Sequence, residues 1–110
     1  MPLLERNNSV PSITGVTSLI TRKSRVMLLN SPSNLTGSML SYNGAISLAE
    51  IFVKRDMVVI SDEVYEKIVY DDYAHVCMAG IRARTLVVES FSKMYPMTGL
   101  RLGYVYGPKS

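Results

Sequence analysis

MVVISDE, residues 57–63, runs through four apolar residues and breaks at once into a hydroxyl and two carboxylates. Three other short runs stand beside it: Val26-Met27-Leu28-Leu29, Thr85-Leu86-Val87-Val88 and Leu102-Gly103-Tyr104-Val105-Tyr106. Such runs are strand-length and continuously apolar rather than alternating, the pattern that strands of a parallel sheet covered on both faces require. The runs at 26–29, 57–60 and 85–88 are followed directly by polar residues, Asn30-Ser31-Pro32-Ser33-Asn34, Ser61-Asp62-Glu63 and Ser90-Phe91-Ser92-Lys93. In an open α/β sheet the carboxyl ends of the strands form the ligand-binding edge, so parallel strands gather Asn34, Asp62 and Lys93 on one side.

Parallel neighbours need a crossover, and residues 42–55 provide one. Ala45, Ile46, Leu48, Ala49, Phe52 and Val53 recur at helical spacing, with Glu50, Lys54 and Arg55 on the other side. Ser41 is placed to cap this helix, and Lys54 and Arg55 suit its negative end. A shorter helix is expected over Ile13 to Ile20, against the weak propensity of Gly15 and its β-branched neighbours. The fold class is α/β, a mainly parallel sheet with covering helices.

Composition narrows the function. At 110 residues and 47% hydrophobic content the chain matches one small domain with a packed core. The net charge of +3 comes from scattered Lys and Arg, and the basic run Thr21-Arg22-Lys23-Ser24-Arg25 reads as a solvated loop, so no nucleic-acid partner is expected. Cys77 is the only cysteine, which excludes an intrachain disulfide and a Cys-rich metal site and suits a reducing compartment. With Glu5 and Arg6 interrupting the start and no apolar segment of spanning length, no membrane association is expected, and the cytoplasm is the expected location. The triplets Asn7-Asn8-Ser9 and Asn34-Leu35-Thr36 match the glycosylation pattern, which without a secretory signal carries no weight.

Three strings, LLNSPSNLTG (28–37), VISDEVYEKIVYDD (59–72) and VVESFSKMYPMTGLRLGYVYGP (87–108), occur in an order and at intervals that resemble the class I/II aminotransferases of the aspartate-aminotransferase type. These are fold-type I enzymes dependent on pyridoxal 5′-phosphate (PLP). The opening PLLERN and SLITRKSR are similar to the family as well, so the resemblance spans essentially the whole chain. It implies a partial large domain over residues 1–110. It also implies amino acid and 2-oxo acid substrates exchanging an amino group, and in the parent family a homodimer.

The resemblance assigns roles residue by residue. Lys93 matches the lysine that carries PLP as a Schiff base and shuttles a proton. Asp62 matches the carboxylate paired with the pyridine nitrogen, which keeps the ring an electron sink. Tyr65 and Asn34 match the partners of the 3-hydroxyl oxygen. Ser90, Ser92 and Arg101 match the phosphate cradle, where a guanidinium can donate two hydrogen bonds. Without the motif each has a plainer reading: a solvated lysine, a capping aspartate, an edge tyrosine, a turn asparagine, a surface arginine. No GxGxxG occurs, and Gly103 to Ser110 only superficially resembles a Walker loop.

Departures from the family pattern also stand in the sequence. Leu35 replaces a proline, which leaves the turn carrying Asn34 less stiff. Met94 and Pro96 replace small residues, and Gly80 to Arg84 is shortened. The family's N-terminal arm, phosphate-binding glycine loop, ring-stacking aromatic and carboxylate-binding arginine fall outside this sequence, as does the strand that would separate Pro2 from Val26 in the sheet. Two functional readings follow, a PLP-dependent aminotransferase fragment and an inactive piece that at most binds PLP or associates with a full-length homologue. A non-enzymatic interaction module has no positive feature in its favour.

Overall fold

The computed structural model describes residues 10–81 and 84–109. The elements follow in the order α1 (Ile13–Leu19), β1 (Val26–Asn30), α2 (Tyr42–Lys54), β2 (Val58–Asp62), β3 (Arg84–Ser90), α3 (Phe91–Met94) and β4 (Gly103–Tyr106). Short 3-10 turns lie at Met78–Gly80 and Thr98–Leu100. The strand expected near Pro2, the triplet at Asn7 and the shortening at Arg82 and Ala83 lie outside the described residues.

The sheet order is β1-β2-β3-β4. β1, β2 and β3 are parallel neighbours, in a register that sets Leu28 beside Ile60 and Leu86, and Asn30 beside Asp62 and Val88. β4 departs from the expectation. It pairs antiparallel with β3, Ser90 opposite Gly103 and Val87 opposite Tyr106, and all four of its residues are exposed. Its apolarity does not record a buried central position. The short return from α3 through Thr98–Leu100 reverses the chain beside β3, and so brief a link is compatible only with antiparallel pairing. A Cβ at Gly103 would stand 2.7 Å from the Glu89 carbonyl oxygen, so this contact between strands needs glycine.

The helices begin where hydroxyl side chains can accept their free amides. Ser41 Oγ accepts from the Gly44 amide at 3.2 Å, and Ser12 Oγ caps α1 through the Gly15 amide at 3.1 Å. α2 ends in a reversal in which the Met57 amide donates to the Phe52 carbonyl and the Asp56 amide to that of Val53, with Asp56 in the left-handed region at φ 51°. This turn drops Met57 into the core and starts β2 one residue late. The basic run at 21–25 is a largely exposed loop, as expected.

One face of the sheet is covered. Ala45, Leu48, Ala49 and Phe52 of α2 pack with Leu29, Met57, Val59 and Met78, and Val16 of α1 joins them. The opposite face does not meet the expectation of two-sided cover. Val26 is 54% exposed and Leu28 69% exposed, because no described element lies over them. Alternation therefore appears in burial although it is absent from the sequence, the runs being apolar on both sides.

Toward the binding edge the covered face turns polar, where Ser61, Glu63 and Glu89 are buried; Thr85 is buried at the other end of β3. Burial, with the carboxylates of Glu66 and Glu63 nearby, pushes the Glu89 carboxyl up to about 7. The folded state thus prefers Glu89 protonated. Its ionisation adds no penalty below the unfolded value of 4.5, a growing one as pH rises toward 7, and the full penalty above that.

Truncating Phe52, fully buried, to Ala should cost about 3–5 kcal/mol in urea unfolding, whereas Val53, expected on the apolar side but 56% exposed, should lose no more than about 0.5 kcal/mol on truncation to Ala. Glu89→Gln should stabilise the chain at pH 8 by about 2 kcal/mol relative to the parent, with the advantage shrinking toward pH 5. A pH-independent difference would count against the assigned ionisation.

Candidate active site

Because β1, β2 and β3 are parallel and in register, their carboxyl ends share one edge, and the loops leaving that edge carry the singled-out residues. The loop after β1 is tied down by its own strand end. Asn30 Nδ2 donates to the Asp62 carbonyl at 3.3 Å, the Ser31 amide donates to the same carbonyl at 3.2 Å, and the Asn34 amide donates to Asn30 Oδ1 at 3.4 Å. Ser33 and Ser38 close the turn through a backbone bond of 2.9 Å, and Leu35 at its tip is 93% exposed. The turn thus keeps its closure without the proline, and Asn34 is held through its backbone.

Asp62 ends β2 half-buried, and its Oδ1 accepts from the Val64 amide at 3.3 Å. It is therefore also the capping strand-end aspartate of its plainer reading. Tyr65 follows in that turn, and Lys93 Nζ lies 5.8 Å from its ring centroid, within cation–π range. Lys93 itself is exposed in α3, the single helical turn directly after β3.

Ser90 has two tasks in the fold. Its Oγ caps α3 by accepting from the Ser92 amide at 3.1 Å and donates to the Leu102 carbonyl at 3.4 Å. Ser92 is buried. Arg101 sits in the left-handed region at φ 51°, and its Nη1 donates to the Thr98 carbonyl at 3.3 Å. The guanidinium is thus engaged with its own 3-10 turn and is not bonded to either serine. A groove of about 880 Å³ opens between the loops at 32–42 and 68–81. Asn34 and Tyr65 line it, while Asp62, Ser90, Lys93 and Arg101 do not.

Sequence reading passed over the most tightly bonded group near the edge. Glu63, 1% exposed, accepts from the Ser61 hydroxyl at 2.8 Å and the Met78 amide at 3.0 Å through Oε1, and meets His75 Nε2 at 2.6 Å through Oε2. Burial would raise its pKa, but the bonds from His75, Met78, Ser61 and Cys77 together hold it below the ordinary value. The signal was available in the i, i+2 spacing of Ser61 and Glu63, which sets both on the covered face opposite Asp62.

Taken together, the edge offers an amine, a carboxylate, a phenol, an amide, hydroxyls and a guanidinium, a set suited to an anionic, carbonyl-bearing ligand. The family description "Aminotransferase class I and II" matches residues 1–110. The chain is 40% identical over 111 residues to an aspartate aminotransferase of Pyrococcus abyssi, covering 98% of this chain and 28% of that protein. It is 47% identical over 96 residues to a bifunctional aspartate aminotransferase and glutamate/aspartate-prephenate aminotransferase of Petunia hybrida, covering 84% of this chain and 20% of that protein. The structure superposes on an aromatic aminotransferase from Pyrococcus horikoshii with a TM-score of 0.91 at 39% identity, over 97% of this chain and 30% of that one. The chain thus spans under a third of the length of these relatives. With a family match along its whole length and a fold shared with solved members, the chain belongs to the class I and II aminotransferases.

Proposed function

We propose that this chain supplies cofactor-holding residues of a PLP-dependent aminotransferase, acting on an amino acid and a 2-oxo acid. The observation that carries the reading is that Asp62 ends β2 while Tyr65 and Lys93 follow the carboxyl ends of the parallel neighbours β2 and β3, with the Lys93 amine 5.8 Å from the Tyr65 ring. When bound, PLP supplies an electron sink for carbanion chemistry. Lys93 is the amine that attaches the cofactor and the base that moves a proton at the substrate α-carbon. Asp62 holds the pyridine nitrogen protonated by placing a negative charge against it. The Tyr65 hydroxyl and the Asn34 side-chain amide would donate to the ring's 3-oxygen. Ser90, Ser92 and Arg101 would hold the phosphate, Ser90 by releasing its long bond to the Leu102 carbonyl and Arg101 its bond to that of Thr98.

Residues 1–110 act in this reading as a single partial domain of the large, cofactor-holding part. The homodimer of the parent family and a cytoplasmic setting belong to the same proposal. Among the described residues no helix is long and apolar enough to cross a membrane. A second reading, a piece that at most binds PLP or associates with a full-length homologue, is favoured by the groove at the edge, which Asn34 and Tyr65 line but Asp62, Ser90, Lys93 and Arg101 do not.

Borohydride reduction of the PLP-treated chain followed by peptide mapping should place the pyridoxyl label on Lys93, and a label that persists at full yield in Lys93→Ala would assign the chemistry to another amine. Tyr65→Phe removes a donor that favours the deprotonated cofactor, so the pH midpoint of the bound absorption band should rise by about one unit. The chain alone should show no Lys93-dependent transamination above free PLP, since loss of one electrostatic contact commonly costs about 100- to 1000-fold. Sustained Lys93-dependent turnover with 2-oxoglutarate would favour the active reading over the second.

A further inference from the structure

The polar end of the covered face holds a group that the cofactor reading leaves unused. One ligand-type atom each from Glu63, Glu66 and His75 lie within 4.8 Å of one another. The cluster is enclosed rather than a solvated acidic patch, with side chains 1%, 20% and 11% exposed. Glu89 joins them from the next strand. Continuation of the Asp62–Val88 register sets it beside Glu63, and its carboxyl feels the charges of Glu66, Glu63 and His75. Glu89 is 5% exposed, and its Oε1 is buried with no hydrogen-bond partner.

A buried carboxylate oxygen with no partner beside two further carboxylates is costly unless something positive meets it. Lys67 serves Glu66 at 2.9 Å from an exposed position, and the imidazole of His75 is already bonded to Glu63. We propose that Glu63, Glu66, His75 and Glu89 form a site for one divalent first-row transition-metal ion. Nitrogen and oxygen ligands bind such ions at about 2.0–2.2 Å, which places ligand atoms roughly 3 Å apart when adjacent and roughly 4.2 Å apart when opposite. The Glu63, Glu66 and His75 atoms, all within 4.8 Å of one another, have to draw together by up to about 0.6 Å for an opposite pair and more for an adjacent one, with Glu89 closing from the neighbouring strand. The Glu63–His75 pair, at 2.6 Å, opens slightly as the ion replaces the proton between them. One imidazole with three carboxylates suits manganese or zinc, while magnesium keeps more of its water.

The test uses the full chain freed of metal with a chelator, without PLP, and titrates Mn²⁺ at pH 7.5 while the free-ion resonance signal is followed. Manganese is the probe because oxygen-rich sites suit it and a thiol such as Cys77 does not. One ion per chain should bind and raise the melting temperature, and Glu66→Gln, Glu89→Gln and His75→Gln should each weaken binding by about tenfold or more. Glu66→Gln alters the least buried carboxylate of the group, so its circular dichroism should match the parent, and it carries the result if either deeper variant fails to fold. Absence of one-to-one binding up to millimolar Mn²⁺ would overturn the site and leave a shared proton as the means of satisfying Glu89. Binding undiminished in Glu66→Gln would overturn it equally, by locating the ion on surface carboxylates.

Discussion

The parallel ladder joining Asn30, Asp62 and Val88 is the constraint on which the rest depends. Three strands ending in register convert a scattered set of polar residues into one edge, and the backbone at that edge is then held by the polar residues themselves. Asp62 shows this most clearly. Its carbonyl accepts from both the Ser31 amide and the Asn30 side chain, while its carboxylate caps the turn leading to Tyr65. A slip of one residue between β1 and β2 would break both carbonyl bonds and send Asp62 to the covered face, since side chains alternate along a strand. α2 fixes the register from below, because Phe52 and Leu48 are fully buried and their packing leaves little freedom to slide.

Most of this was readable from residue order. The crossover helix, its Ser41 cap and the three parallel runs follow from spacing and polarity alone, and the structure places α2 within one residue of that reading. The failures share one cause: an apolar run reports that a residue prefers burial but not whether anything arrives to bury it. Val105 and Leu28 are as hydrophobic as Val59, yet they are 59% and 69% exposed, and the direction of β4 was set by the short return after α3 rather than by its own residues. β3 runs two residues beyond its apolar core because Glu89 and Ser90 are held by pairing with β4, a long-range effect invisible locally.

At the edge itself, motif similarity named the residues but not their bonds. Ser90 and Arg101 are engaged with the Leu102 and Thr98 carbonyls, which the string SFSKMYPMTGLRLG gives no means of anticipating. Such internal partners keep these groups satisfied within the fold, which costs less than exposing bare donors. Glu63 illustrates the converse. Its four named partners lie as far along the chain as Met78, so its burial depends on how the segment at 75–78 folds back, and a local reading sees only an acidic residue after a strand.

The sheet face that no described residue covers has a consequence for how the chain behaves as a solute. Val26, Leu28, Leu86 and Val105 expose apolar surface on three of the four strands, and water must be structured over it. A net charge of +3 on 110 residues provides only weak colloidal repulsion, which added salt screens further. Excluded salts such as sulfate strengthen burial at the same time, so both effects act in one direction. The practical working range of this chain is therefore dilute and low in salt, and its phase behaviour is set by the face that α2 leaves bare.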